Sequence, residues 1–317
     1  METLTPVSDA SPHFSDLTSK TTGPAIARGF FTGKLLMGKS IQVPSNAQDI
    51  LATLRRWNLI QDNSGPFRTY YNAQNPDERF VSVTHILSKT QDQSGLERWR
   101  ARIGHEAADM ERDVAATRGT EAHSSAEFLL KTAASLARRA ANKRGVKFDS
   151  QGLARIPSPV TRWALEKVRP RVKPSGWASQ GYSDSLLDWI MENVTAIHAS
   201  EFMICHPAGF AGQADALLEL KGHGLCVVDF KTSQRRKVPL GNSHSYRHQI
   251  GAYSAGLRHL TSLDVAGAAI VLARQSGKAD VEMMDYDEVK EAEQIYLDRC
   301  HSYFESLEIP EIAIHTA

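Results

Sequence analysis

Residues 211–232 read AGQADALLELKGHGLCVVDFKT, and the spacing of acids and lysine in this stretch decides the fold. Asp215 and Asp229 stand 14 positions apart, and Lys231 follows two residues later. Over that span the two acids meet only in a hairpin. Gly222 and Gly224 bracket a polar turn through Lys221 and His223, while Cys226, Val227, Val228 and Phe230 are types that strands favour. Alternation along the second strand, Leu225 to Thr232, puts Asp229 and Lys231 on one face and Val228 and Phe230 on the other. Ionisable groups on a largely apolar strand are costly to bury alone. A divalent cation between the two carboxylates removes that cost for the acids and sets Lys231 beside it. The rival reading is a plain Asp229–Lys231 salt bridge on an exposed face, which predicts open solvent around the pair.

A chain of 317 residues buries a sizeable core in one or two domains. Its 41% hydrophobic and 23% charged residues are the balance of an ordinary soluble globular protein. No apolar run approaches a membrane span, which argues against a membrane role. Cys205, Cys226 and Cys300 are isolated, with no CxxC, so a disulfide framework or a four-cysteine cluster is not expected. That usage fits a reducing, intracellular compartment such as cytoplasm or nucleoid, an infected host cell or an organelle staying open. Early acids at Glu2, Asp9 and Asp16 are unlike a transit peptide, and no secretory signal is expected. A net charge of +1 decides nothing about nucleic acid; local clustering does.

The composition of residues 1–75, rich in Ser, Thr, Pro, Asn and Gly, predicts an irregular or flexible arm with one short helix over 47–57. Residues 76–317 read as one α/β domain, helical over 76–195 and sheet-bearing over 196–317. RFVSVTHIL (79–87) predicts a short strand or extended entry. A long helical tract follows, with a break expected at Arg118-Gly119-Thr120, since Gly is unfavourable inside a helix and Thr caps the next one. Helices are predicted over 159–168 and 183–194. From Ile197 the pattern turns to strands, interrupted by a helix over 245–259 and closed by another over 287–306. That order describes an α/β sandwich.

His123 and Glu127, four apart, share one face of a predicted helix, as do Gln249 and Tyr253. Each pair has an ordinary explanation: a solvated His and Glu, or a core tyrosine beside a capping amide. Basic residues cluster as Arg98, Arg100 and Arg102 around Trp99, over 131–147, and as Arg235, Arg236 and Lys237 just after Lys231. Such runs are solvated faces or phosphate tracks, and Trp99, Tyr246 and Phe210 are candidate stacking platforms.

Taken in order, Gly119-Thr120, His123 and Glu127, then Gly212 and Asp215, then Asp229 and Lys231, then Gln249 and Tyr253 resemble the RecB-like exonuclease branch of the PD-(D/E)XK nuclease superfamily. RFVSVTHILSKT followed by LERWRARIG is similar to the entry of mitochondrial genome-maintenance exonucleases and their phage relatives, so the resemblance covers about 80–304. It implies an α/β/α sandwich around a central mixed sheet of the restriction-endonuclease-like type. It implies Asp215 and Asp229 as carboxylate metal ligands, the Phe230 carbonyl completing the set, and His123 as the metal-binding histidine. Lys231 would position or activate water and offset developing charge, Gln249 and Tyr253 would support the lysine or the DNA backbone, and Glu127 would act behind the ligands. Arg98, Trp99, Arg102, Arg235, Arg236, Lys237 and Tyr246 are the residues expected against DNA.

Oxygen-rich ligation with one imidazole favours Mg²⁺ or Mn²⁺ over a thiolate-seeking metal. The function implied is a metal-dependent DNA exonuclease acting on single strands or DNA ends in replication, recombination or repair, with recombination or replication proteins as its companions. Two alternatives remain at this level: a non-catalytic DNA-binding recombination or packaging factor on a nuclease fold, and a hairpin that is purely structural.

Overall fold

The computed structural model describes residues 50–142, 145–173 and 176–308. The hairpin read from the sequence lies at the centre of an eight-stranded mixed sheet. Its strands are β1 (Leu59–Asp62), β2 (Thr69–Asn72), β3 (Asn75–Ser82), β4 (Val194–His206), β5 (Phe210–Leu220), β6 (Gly224–Thr232), β7 (Gly267–Ala273) and β8 (Asp280–Asp285). The spatial order is β1-β2-β3-β5-β6-β7-β8, with β4 also paired to β5. Antiparallel pairing dominates, while β3–β5 and β6–β7 run parallel.

Helices cover both faces. α1 (Ile50–Arg56), α2 (Val83–Thr90), α7 (Ser245–Thr261) and α8 (Tyr286–Glu308) pack on one side; α4 (His105–Asn142), α5 (Ser158–Val168) and α6 (Tyr182–Asn193) pack on the other, and α3 (Ser94–Ile103) leans on α4. This is the expected α/β/α sandwich. Strand alternation feeds both cores: Ala268, Ile270 and Leu272 of β7 join one, Ala269, Val271 and Ala273 the other. A strand buried on both faces reads as an unbroken apolar run, which is how GAAIVLA reads.

Three expectations need correction. Residues 58–75 are not irregular: β1 and β2 lie there and join the sheet, with Tyr70 1% exposed, whereas α1 falls within the short helix expected over 47–57. Each element is too short to declare a period. The rest of the expected arm, residues 1–49, lies outside the described residues. β3 overlaps the start of the strand expected over 79–87. Second, VTHIL is helix rather than strand: Val83, Ile86 and Leu87 are buried at helical spacing on α2. Third, α4 runs unbroken through Gly119 and Thr120 for 38 residues. Buried Arg118, Ala122, Ala126, Leu129 and Leu130 flank the glycine, and their packing exceeds the cost of about 1 kcal/mol for an interior Gly.

Candidate active site

β5 is shared on one edge by two neighbours. β6 pairs with it from Leu220 back to Ala216, opposite Val228, and β3 pairs with it at Phe210 and Ala211. Residues 212–215 fall between them, so the sheet forks. Asp215 and Asp229 are the first residues beyond the last β5–β6 pair. The fork is closed by one side chain, as Asp215 Oδ2 accepts a hydrogen bond from the Phe230 N–H at 2.6 Å.

Both helical layers reach this fork. From α4, His123 Nδ1 comes within 3.4 Å of Asp215 Oδ1, and its ring stands edge-on to Phe230. From α7, Tyr253 faces the two acids, and its hydroxyl accepts from Gln249 Nε2 at 2.7 Å. Gly212 makes this approach feasible: a Cβ there would lie 2.9 Å from the Tyr253 ring. Lys231 Nζ pairs with Asp229 Oδ2 and sits 5.3 Å from the centre of the Tyr246 ring. The exposed salt bridge of the rival reading is therefore absent, since Asp229 is 1% exposed.

Burial and charge act strongly here. Burial raises the Asp229 carboxyl to about 6, against the opposing pull of Lys231 and with the help of Asp215. Asp215 is buried too but lies below the usual carboxylate range, because the His123 charge and hydrogen bond, with Lys231 and the Phe230 N–H, outweigh desolvation. His123 is raised despite burial, through Asp215. Lys231 is likewise raised, the charges of Asp229 and Asp215 overcoming desolvation, so it is cationic at neutral pH. Tyr253 stays protonated, pushed well up by burial and then by the two acids.

A cavity of about 350 Å³ opens beside the fork, lined by Gly119, Thr120, His123, Ser124, Glu127 and Glu201. Glu201 of β4 was not anticipated from sequence. Burial, followed by Asp215, lifts its carboxyl to about 7. Among the described residues, the acids, histidines and cysteines whose donor atoms converge within 4.8 Å are His123, Glu201 and Asp215. A lone Glu in EFMICH carries no motif; only its register across from Asp215 marks it. Arg118 was also missed. It is 7% exposed, donates to Thr232 Oγ1 at 3.2 Å and lies over the Tyr182 ring.

The remaining predicted residues are less concentrated. Glu127 borders the cavity but is ion-paired with Lys131. Arg235, Arg236 and Lys237 are exposed in the segment leaving β6, with Arg236 3.8 Å from Asp280 and Lys237 over the Tyr246 ring. Tyr246 thus carries two lysines against its face. Arg98 and Arg102 are exposed on α3 and Trp99 is half-buried there. None of these three lines the cavity.

The donor set suits a hard divalent cation. Two buried carboxylates and an imidazole face one another, and Asp229 Oδ1 is buried with no hydrogen-bond partner among the described residues, as expected of a ligand atom. Residues that could hold a cation there are Asp215 with His123 and Glu201, whose donor atoms converge, and Asp229 across the fork.

A fold of this topology with an acid pair in its fork and a lysine beside it defines a class. The family model of the PD-(D/E)XK nuclease superfamily matches residues 61–313, and the chain belongs to that superfamily. Among curated proteins it is similar to "Mitochondrial genome maintenance exonuclease 1" of Mus musculus, 30% identical over 140 residues, or 42% of this chain and 41% of the mouse protein. The Homo sapiens protein of the same name is 26% identical over 231 residues, 71% of this chain and 58% of the human protein. The matches thus span less than two thirds of either relative. Among the described residues no helix is long and apolar enough to cross a membrane.

Proposed function

We propose that the chain is a divalent-metal-dependent deoxyribonuclease that degrades DNA from ends, with a preference for single strands, in genome maintenance. The observation that carries the reading is the fork itself: two buried acids past the last β5–β6 pair, a histidine on one and a lysine on the other. Mg²⁺ or Mn²⁺ held by Asp215, Asp229 and His123, with the Phe230 carbonyl as a further donor, would supply an available nucleophile and counter-charge near neutral pH. Lys231, kept cationic by the acids, offsets charge developing on the phosphate and orients water by donating to it. A lysine in that state is not a base. Gln249 and Tyr253 form a hydrogen-bonded unit whose phenol faces Asp229 and Asp215. The exposed Arg235, Arg236 and Lys237, leaving β6 directly after the lysine, suit the DNA backbone, and Arg98, Trp99 and Arg102 suit a more distant length of strand.

The exonuclease component draws support from the names of the mouse and human relatives. Three buried, unbridged cysteines agree with a reducing compartment, and the relatives' names make an organelle one candidate. The test is digestion of end-labelled linear and circular DNA, single- and double-stranded, with Mg²⁺, Mn²⁺ or EDTA. Metal-dependent loss of linear DNA with circles spared supports the proposal. DNA binding in EDTA with no cleavage in either metal would leave a binding factor instead.

A further inference from the structure

Glu201 stands directly across from Asp215. The flanking β4–β5 pairs are Ser200 with Ala216 and Phe202 with Ala214, so residues 201 and 215 fall across from one another and their carboxylates converge. At this point Glu201 has φ of +49°, a left-handed backbone that a long-chain residue inside a strand rarely adopts. Gln213 Nε2 donates to Glu201 Oε2 at 2.6 Å, fixing the carboxylate, while Oε1 has no hydrogen bond among the described residues. The carboxylate borders the cavity and converges with His123 and Asp215 within 4.8 Å. Asp229 Oδ1 supplies a separate pointer to a ligand, being an unpartnered oxygen on a side chain 1% exposed in the same fork.

We propose that Glu201 is a metal ligand of this chain, acting with His123 and Asp215 on the edge-strand side of the fork. The inference rests on the metal-dependent reading above and deepens it. Two acids and an imidazole whose donor atoms lie within 4.8 Å of one another are a hard, oxygen-rich set suited to Mn²⁺ or Mg²⁺. The twist at residue 201 turns a side chain of the edge strand toward the histidine of α4, and Gln213 holds it there. Asp215 then ligates between two flanking groups, with Asp229 on one side and Glu201 on the other.

The experiment is Mn²⁺ binding to the full chain, read by electron paramagnetic resonance of free Mn²⁺ and by calorimetry, without DNA. Glu201→Gln keeps the shape and removes the charge, and its Kd should rise roughly 10-fold or more, the scale of losses when ligand support is removed. Glu201→Gly relieves the backbone while deleting the carboxylate, and it should be equally impaired with its melting temperature in EDTA preserved. Wild-type Mn²⁺ affinity in either variant overturns the assignment. If those variants bind normally while Asp229→Asn does not, only Glu201 is dismissed. Failure of the wild-type chain to bind Mn²⁺ at all removes the metal-dependent reading and this one together.

Discussion

β6 has two edges, and they behave oppositely. Toward β7 the pairing continues without interruption from Cys226 with Gly267 to Thr232 with Ala273. Toward β5 it stops at Val228. Asp229 and Ile270 are register partners across the closed edge, at 1% and 0% exposed. Burial therefore does not separate them. What differs is the neighbour on the far side: Ile270 packs between continuous strands, whereas Asp229 faces a gap holding another acid, a histidine and a lysine. The difference shows that this site is made by ending a ladder early, with no loop required.

The largest effect should come from breaking the two partners in turn. Asp229→Asn is expected to lower cleavage by roughly 10²–10³-fold or more, as loss of charge stabilisation in a dry site does. Its stability in EDTA should change less than after a core truncation, because the relief of a carboxylate made costly by burial offsets the lost pairing with Lys231. Ile270→Ala should do the reverse, costing roughly 2–5 kcal/mol while sparing the rate per folded molecule. Urea unfolding in EDTA and initial rates on labelled DNA measure both. Equal destabilisation by the two variants would mean that Asp229 is a structural acid.

The two motif glycines sharpen the same contrast at a smaller scale. Gly212 lies in the fork, where a Cβ would meet Tyr253 at 2.9 Å and Val83 at 3.2 Å. Gly212→Ala should cost roughly 1–3 kcal/mol by overpacking and should also slow cleavage, because Tyr253 must shift. Gly119, in mid-helix, has nothing within 4 Å of its missing Cβ. Gly119→Ala should raise stability by about 0.5–1 kcal/mol. Thermal melts in EDTA decide the signs. A destabilised Gly119→Ala would show that α4 needs flexibility there.

These same residues mark what sequence could convey. The hairpin was legible because its turn glycines, its β-type residues and the acid–lysine spacing all repeat a local rule. Gly119 misled because a helix breaker in isolation carries no information about the packing on either side of it. Glu201 was invisible for a different reason. Its partner lies 14 positions away on another strand, and only the register of β4 against β5 brings them together. β1 and β2, of four residues each, are too brief for a period to emerge, so the sheet was longer than the pattern suggested.

The smallest effect lies at the other end of β4 and β5, away from the acids of the fork. His206 stacks on Phe210 with ring centres 4.9 Å apart, and its Nδ1 accepts from the Ala208 N–H at 3.2 Å. Burial, with His259 and Arg258 adding repulsion and Glu293 opposing, depresses it to about 4. The unfolded chain, with an ordinary histidine near 6.5, binds the proton first as the solution is acidified. Stability tied to neutral His206 is therefore complete above about pH 6.5 and drains away as the pH falls toward 4. His206→Asn keeps an acceptor for Ala208 and removes the titration. The variant should show a shallower loss of stability in this window, gaining on the wild type by about 1 kcal/mol or less between pH 7 and pH 6. His259, also lowered by burial, leaves a residual slope in both proteins. Urea titrations at pH 7, 6 and 5 read the difference directly. Parallel stability curves would show that this end of the hairpin takes up a proton as readily folded as unfolded. In that case buried charge would be tolerated beyond the fork, and the contrast between the open and closed edges of β6 would lose its generality.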